Sequence, residues 1–253
     1  MSNDPLSIKG IILKSTEYKE KDRMVTILTA DNGIMSFVAK GVAGKAGKNS
    51  YVAVPYMLCD FVLTPSHGFY YLKDGLIIAG NSGIMNSLEA MAVAGHIADC
   101  VIDSVFQSDN SRAVYELVVY AYYALATRPE SHIVVYTSFN WKLLQILGLS
   151  LRYELCNSCG KPIGTSDIYH LSFSEGSCFC DECSKRNGYG GFLIGTNGIN
   201  LLNFIFEHDS DRIFTIKADV DTVDMVRRFS TTYLGHQFDR EIKDPINALR
   251  LPL

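Results

Sequence analysis

Five of the seven cysteines of this 253-residue chain fall between positions 156 and 183. Cys156-Asn-Ser-Cys159-Gly160 and Cys180-Asp-Glu-Cys183 each carry two thiols at the Cys-x-x-Cys spacing. That spacing turns two sulfurs onto one ion, and a second pair completes the tetrahedral four-sulfur shell of a structural zinc site. One such pair alone is shared with redox dithiols. Two pairs, with Gly160 ending the first turn, predict one structural zinc ion held by Cys156, Cys159, Cys180 and Cys183. Cys178 could replace Cys180 as a ligand, although a spare thiol is the plainer reading. Four thiolates leave no open coordination position, which argues against zinc catalysis. Other catalytic patterns are missing as well. No histidine is followed by Glu two residues on and Pro precedes neither cysteine pair, so the nucleobase-deaminase signature fails. There is no His-Glu-x-x-His, no Gly-x-Ser-x-Gly and no dinucleotide fingerprint. The chain is not expected to be an enzyme.

A second stretch has the chemistry of a polyanion contact. Lys40-Gly-Val-Ala-Gly-Lys45-Ala-Gly-Lys48-Asn-Ser50 holds three lysines, three glycines and no acid. Glycine lets a backbone approach a ligand closely and lysine neutralises phosphate. A P-loop is excluded, because Val42 stands where Gly is required and Asn49 where Ser or Thr is required. The alternative is a solvated loop with no ligand. Tyr51, Tyr56, Phe69, Tyr70 and Tyr71 follow, and aromatic faces beside a basic loop are the parts of a single-strand stacking groove. Tyr51 and Tyr56 are the stacking candidates, with barrel core as the competing role for each. Net charge is −4, distributed unevenly: residues 1–80 carry nine Lys/Arg against seven Asp/Glu, and residues 81–253 carry 14 against 20. A mildly basic head on an acidic body permits a polyanion partner at the head without requiring one.

These residues need elements to position them. Five candidate strands occupy Leu6–Ser15, Arg23–Thr29, Ile34–Lys40, Tyr51–Leu63 and Phe69–Ile78, rich in Ile, Val, Thr, Phe and Tyr and separated by turn residues such as Asp31-Asn32-Gly33. Five short strands in so few residues suit a small closed barrel, with an OB-fold first and an SH3-like barrel second. From Asn81 the apolar period becomes helical. Helices are expected over Ser87–Phe106, Ser111–Thr127, Ser131–Leu147, Gly198–Glu207 and Asp221–Leu234, the second apolar on nearly all sides. The expected class is α+β and multidomain. A five-stranded OB-fold barrel spans 1–80. An α-helical bundle spans 81–253, with a zinc knuckle inserted at about 154–186. Within it, the 20 residues of 160–179 hold too little apolar content to form a core of their own, so a metal would fold them. No run is long enough to span a bilayer, and no signal peptide opens the chain, so a reducing cytoplasm is expected.

With that order in place, the chain resembles the RecO family of bacterial recombination mediators. The resemblance runs through Lys9-Gly-Ile-Ile-Leu-Lys14, Tyr18-Lys-Glu-Lys-Asp22-Arg23, Leu28-Thr29, Ala39-Lys-Gly41, Cys156-x-x-Cys159-Gly160, Phe173-Ser174, Cys180-x-x-Cys183 and Tyr233-Leu-Gly-His236. It implies a non-catalytic protein that binds single- and double-stranded DNA and anneals complementary strands. It also implies help in loading the recombinase RecA onto DNA coated by single-stranded-DNA-binding protein, with RecR as partner. The C-terminal tail of single-stranded-DNA-binding protein would dock on the helical domain. On this reading Lys14, Lys21, Arg23, Lys40, Lys45 and Lys48 contact phosphates. Lys142 and Arg152 could receive the acidic tail, or be ordinary solvated charges. Compared with relatives, Ala43, Gly44, Ala46 and Gly47 dilute the basic loop. The competing function is a protein-interaction adaptor with little DNA affinity of its own.

Overall fold

The computed structural model describes residues 4–42, 50–105, 110–164 and 168–250, the last without its side chain. Five strands open the chain: β1 (Leu6–Lys19), β2 (Asp22–Thr29), β3 (Gly33–Ala39), β4 (Leu58–Ser66) and β5 (Phe69–Ala79). They close into a barrel in the order β1-β2-β3-β5-β4, with β4 pairing back onto β1. The β3–β5 pair is parallel and the rest are antiparallel. This is the five-stranded OB-fold expected from the strand pattern. Alternate residues point inward: Val25 and Ile27, Phe37 and Ala39, and Cys59, Phe61 and Leu63 all lie in one buried cluster. Closure gives each barrel strand two neighbours, with the β3–β5 seam joined over two residue pairs, Phe37–Tyr70 and Val38–Tyr71.

The turns follow local chemistry. Gly33 has φ +62° after β2, and the Thr29 hydroxyl accepts from the Asn32 N–H and donates to the Gly33 carbonyl. His67 and Gly68 are both left-handed, the hairpin geometry that matches strand twist. The expected strand at Tyr51–Leu63 is in part something else. Ser50–Ala53 forms a 3-10 turn whose Val52 and Ala53 join the barrel core, and β4 begins only at Leu58. Tyr56, with φ +71°, breaks the extended run. An apolar run without a period reads the same for a strand and for a buried turn.

Helix α1 (Leu88–Ser104) is capped by Ser87, whose hydroxyl accepts from the Ala90 N–H, and α2 spans Ser111–Thr127. Gly83, just before α1, lies so close to α2 that an added Cβ would sit 2.0 Å from the Ala126 carbonyl oxygen. Both helices belong with the barrel. Tyr122 of α2 donates to the Ala94 carbonyl and meets Tyr56 edge-on at 5.1 Å. Asp99 of α1 approaches Lys14 at 3.8 Å, and Arg112 pairs with Asp31. The chain accordingly divides into two compact units, residues 1–132 and 133–253. No described helix is long and apolar enough to cross a membrane.

The second unit holds α3 (His132–Ile146, whose first residue closes the preceding unit), β6 (Ile168–Ser172), β7 (Ser177–Cys180), α4 (Asp181–Asn187), β8 (Phe192–Gly195), α5 (Thr196–Glu207), α6 (Ser210–Ile213), α7 (Val220–Gln237) and α8 (Pro245–Arg250). Its centre is aromatic. Trp141 stacks on Phe229 at 5.6 Å and on Tyr233 at 5.7 Å, while Phe173 and Phe192 pack on Phe229. The three-stranded sheet β7-β6-β8 is absent from the sequence expectation, because strands of four or five residues carry too little alternation to register.

One charge is fully buried here. The Arg227 guanidinium donates to Asp224 Oδ1 from Nε (3.0 Å) and Nη2 (2.8 Å) and to Asn247 Oδ1 (3.1 Å), and Nη1 pairs with Asp244. It ties α7 to the start of α8. Burial pushes the Asp224 pKa up, but Arg227 and Arg228 outweigh it and hold the carboxyl below its ordinary value. A depressed carboxylate pKa stabilises the fold above the unfolded value of about 3.9 and loses that stabilisation as pH falls through the folded value. Acid titration followed by α7–α8 amide exchange is expected to show opening of this link only below about pH 4.

Candidate metal centre and nucleic-acid interface

The four knuckle sulfurs converge. Sγ atoms of Cys156, Cys159, Cys180 and Cys183 all lie within 4.8 Å of one another, and the Cys159–Cys180 pair is 3.9 Å apart. A tetrahedral zinc shell with Zn–S bonds of about 2.3 Å has sulfur–sulfur edges of about 3.8 Å, so the donor set fits. Local backbone chemistry builds each half. In the first turn the Gly160 N–H donates to the Cys156 carbonyl, and Gly160 takes φ +71° to let the chain double back. The Leu155–Pro162 bridge and the Ile163 N–H to Glu154 carbonyl bond close this ribbon. In the second half β7 delivers Cys180 to the N-cap of α4, and Cys183 sits in the first turn. Gly188, left-handed, ends that helix.

At one of the four sulfurs the backbone favours the thiolate. Burial opposes ionisation of Cys156, but N–H groups of Cys180, Cys159 and Ser158 aim at its sulfur and bring its pKa down to about 6. The Cys180 N–H donates to Cys156 Sγ at 3.3 Å, and Arg186 donates to Cys183 Sγ at 3.2 Å. Lys161 and Glu182 form an exposed ion pair at 3.3 Å across the two halves. Cys178 lies outside the cluster of four; burial pushes its thiol up to about 12. Cys178→Ser is therefore expected to leave metal content unchanged while Cys180→Ser abolishes it, as read by metal analysis of the purified variants; the reverse pattern would exchange the two roles.

At the barrel, strand register gathers some of the sequence candidates and separates others. Lys21 lies in the exposed β1–β2 turn, and Lys19 pairs with Asp22 beside it. Arg23 pairs with Ala39, so Lys40 at the end of β3 reaches the same end of the barrel. Arg23 also donates to the Ser15 carbonyl at 3.4 Å. Lys40 extends its ammonium over the Tyr71 ring, 4.5 Å from the centroid. Lys19, missed in the sequence reading, joins this group because the hairpin brings it there. The acids Glu17, Glu20 and Asp22 are interleaved with these four cations, and Asp22 accepts from the Gly41 N–H. Lys14 stands apart, three residues before Glu17 on β1 and facing Asp99. Lys45 and Lys48 lie outside the described residues.

Tyr51 is half exposed and its hydroxyl donates to the Gly75 carbonyl. Tyr56 is spent on the Tyr122 contact. In the second unit Lys142 is half-buried and donates to the Ile205 and Phe206 carbonyls at 3.3 Å each, closing the C-terminal end of α5; burial lowers its pKa. Arg152 is exposed and donates to the Glu175 carbonyl. These two candidates therefore already have partners within the fold.

Comparison with known proteins agrees with this architecture. Residues 1–81 match the family model described as Recombination protein O N terminal, and residues 85–245 match Recombination protein O C terminal. The chain is 25% identical over 237 residues to the DNA repair protein RecO of Acetivibrio thermocellus, covering 93% of this chain and 92% of that protein. It is 26% identical over 209 residues to the DNA repair protein RecO of Clostridium perfringens, covering 82% of each chain. The corresponding protein of Bacillus velezensis is 22% identical over 225 residues, 89% of this chain and 86% of its own. With both halves matched in order on a closed barrel and a four-cysteine cluster, the chain belongs to the recombination protein O family of DNA repair proteins.

Proposed function

We propose that the protein is a non-catalytic DNA-binding recombination mediator of the bacterial cytoplasm. It anneals complementary single strands and helps load the recombinase RecA onto DNA coated by single-stranded-DNA-binding protein. It acts with RecR and docks the C-terminal tail of single-stranded-DNA-binding protein on its helical part. The OB-fold of residues 1–80 is the nucleic-acid module. One zinc ion held by Cys156, Cys159, Cys180 and Cys183 braces the second unit, where it supplies cross-linking and no reaction step.

The observation that carries this reading is the gathering of Lys19, Lys21, Arg23 and Lys40 at one end of a closed barrel. Non-specific DNA affinity comes largely from such cations, each neutralising one phosphate. Lys21→Glu with Lys40→Glu is expected to weaken single-strand binding about tenfold or more and to flatten its salt slope by about 1.4, the value for two lost contacts. Unchanged affinity and slope would refute the assignment.

The interleaving of Glu17, Glu20 and Asp22 with these cations favours a second reading, a protein-interaction adaptor with little DNA affinity of its own. Gel shift with DNA alone, beside pull-down by RecR without DNA, separates the two. Partner capture with no DNA shift would select the adaptor.

A further inference from the structure

The outer face of the barrel across β2, β3, β5 and β4 carries an aromatic surface built from Phe69 and Tyr71 rather than from Tyr51 and Tyr56, the two stacking candidates of the sequence. Tyr70 and Leu72 of β5 point into the barrel core. Phe69 and Tyr71 therefore point outward, since successive strand residues alternate. Register assembles two rows on that face. Met24, Val38, Tyr71 and Thr64 are consecutive partners across the four strands. Thr26 pairs with Ser36 and Phe69 with Ser66, and Ser36 and Phe69 each stand one residue before the first β3–β5 pair, Phe37–Tyr70. The second row presents one ring among hydroxyls, with Thr26 Oγ1 and Ser36 Oγ 3.2 Å apart. Phe69 is 49% exposed, an unusual position for a phenyl ring in a small barrel. Lys40 sits over Tyr71, and the exposed Lys73 follows on the same side of β5.

We infer that Phe69 and Tyr71 are a two-base stacking platform that selects single-stranded over duplex nucleic acid. Spacing carries the selectivity. Residues two apart on a strand are separated by about 6.8 Å. Neighbouring bases on one strand of a duplex rise by only about 3.4 Å. Adjacent bases can cover both rings only when pulled apart, which a single strand tolerates and a paired strand does not. A base on Tyr71 displaces the Lys40 ammonium that lies over that ring, which turns the cation to the adjoining phosphate. The rings give affinity without base identity, because every base has a π-face. This inference rests on the barrel being the nucleic-acid module.

Anisotropy titrations with an oligo-dT strand and with a hairpin duplex of equal length test it. Phe69→Leu and Tyr71→Leu, which keep an apolar side chain but remove the ring, are each expected to weaken dT binding by about five- to a hundredfold with the salt slope and duplex affinity unchanged. A direct readout comes from Phe69→Trp. The only native tryptophan, Trp141, is fully buried, so dT is expected to quench the emission of the added indole. Wild-type binding of dT that is indifferent to both rings, with no quenching of the added indole, overturns the platform alone. Equal losses on dT and duplex overturn its selectivity. Failure of the wild-type protein to bind dT at all overturns the broader DNA-binding reading, and the platform with it.

Discussion

Cys156→Ala is expected to remove the metal and unfold the knuckle, with loss of amide-exchange protection over about residues 154–163 and 179–189. Magnitudes decide this. The knuckle's own core is three buried residues, Cys156, Phe179 and Cys183, with Ile163 and Cys180 packed against them. Phe179 stacks on Tyr189 with ring centroids 4.3 Å apart. Burying one phenyl ring contributes about 1.5–3 kcal/mol. A structural zinc ion contributes on the order of 10 kcal/mol to the folding of such a segment. The metal term dominates, so a chelator acts like the substitution. Exchange protection that survives both treatments would show that the strands β6 and β7 hold the knuckle without metal.

Arg227→Met is expected to cost about 3–5 kcal/mol in the second unit, the range for removing one partner of a buried ion pair. Arg227 has no exposed surface, and Asp244 is 9% exposed. Methionine fills the volume but leaves the Asp244 carboxylate with its cation gone and Asp224 with Arg228 alone. Denaturant unfolding of wild type and variant measures the difference. The variant should also lose the acid opening of the α7–α8 link, because the guanidinium that bridged Asp224 to Asp244 and Asn247 is gone. A change under 1 kcal/mol would mean that Asp224 and Asp244 turn to solvent without penalty. Replacing Arg227 together with Asp224 and Asp244 by apolar residues should recover much of the loss, since a buried ionic cluster is weak evidence of net stabilisation.

The cysteine cluster was legible because its signal is local: two Cys-x-x-Cys pairs bring their own geometry, and the fold has only to appose them. The barrel was legible from strand composition and turn residues. Its third connection was not, since Val52 and Ala53 are as apolar in a 3-10 turn as in a strand. Periodicity showed that α1 and α2 each bury a face, but not that the burial is shared with the barrel through Tyr56 and Tyr122. Stacking candidates chosen by nearness to the basic loop, Tyr51 and Tyr56, gave way to Phe69 and Tyr71 as the favoured pair. That choice depends on β3–β5 register, which a parallel pairing between distant strands does not announce. Nothing in the sequence distinguishes Arg227 from any other charge on a helix. Its partner Asp244 is reached only after the chain turns back beyond α7, a contact no spacing rule supplies.

Single-strand binding by the barrel underlies the proposed function most directly. A fluorescence-anisotropy titration of wild type and of Lys21→Glu/Lys40→Glu with an oligo-dT strand, at about 50 and about 200 mM salt, measures it. Contacts from three or four cations predict a wild-type slope of log affinity against log salt of about −2 to −3, less steep by about 1.4 in the double variant. Binding that is absent, or present with the same affinity and slope in both proteins, would contradict the assignment of DNA contact to this end of the barrel.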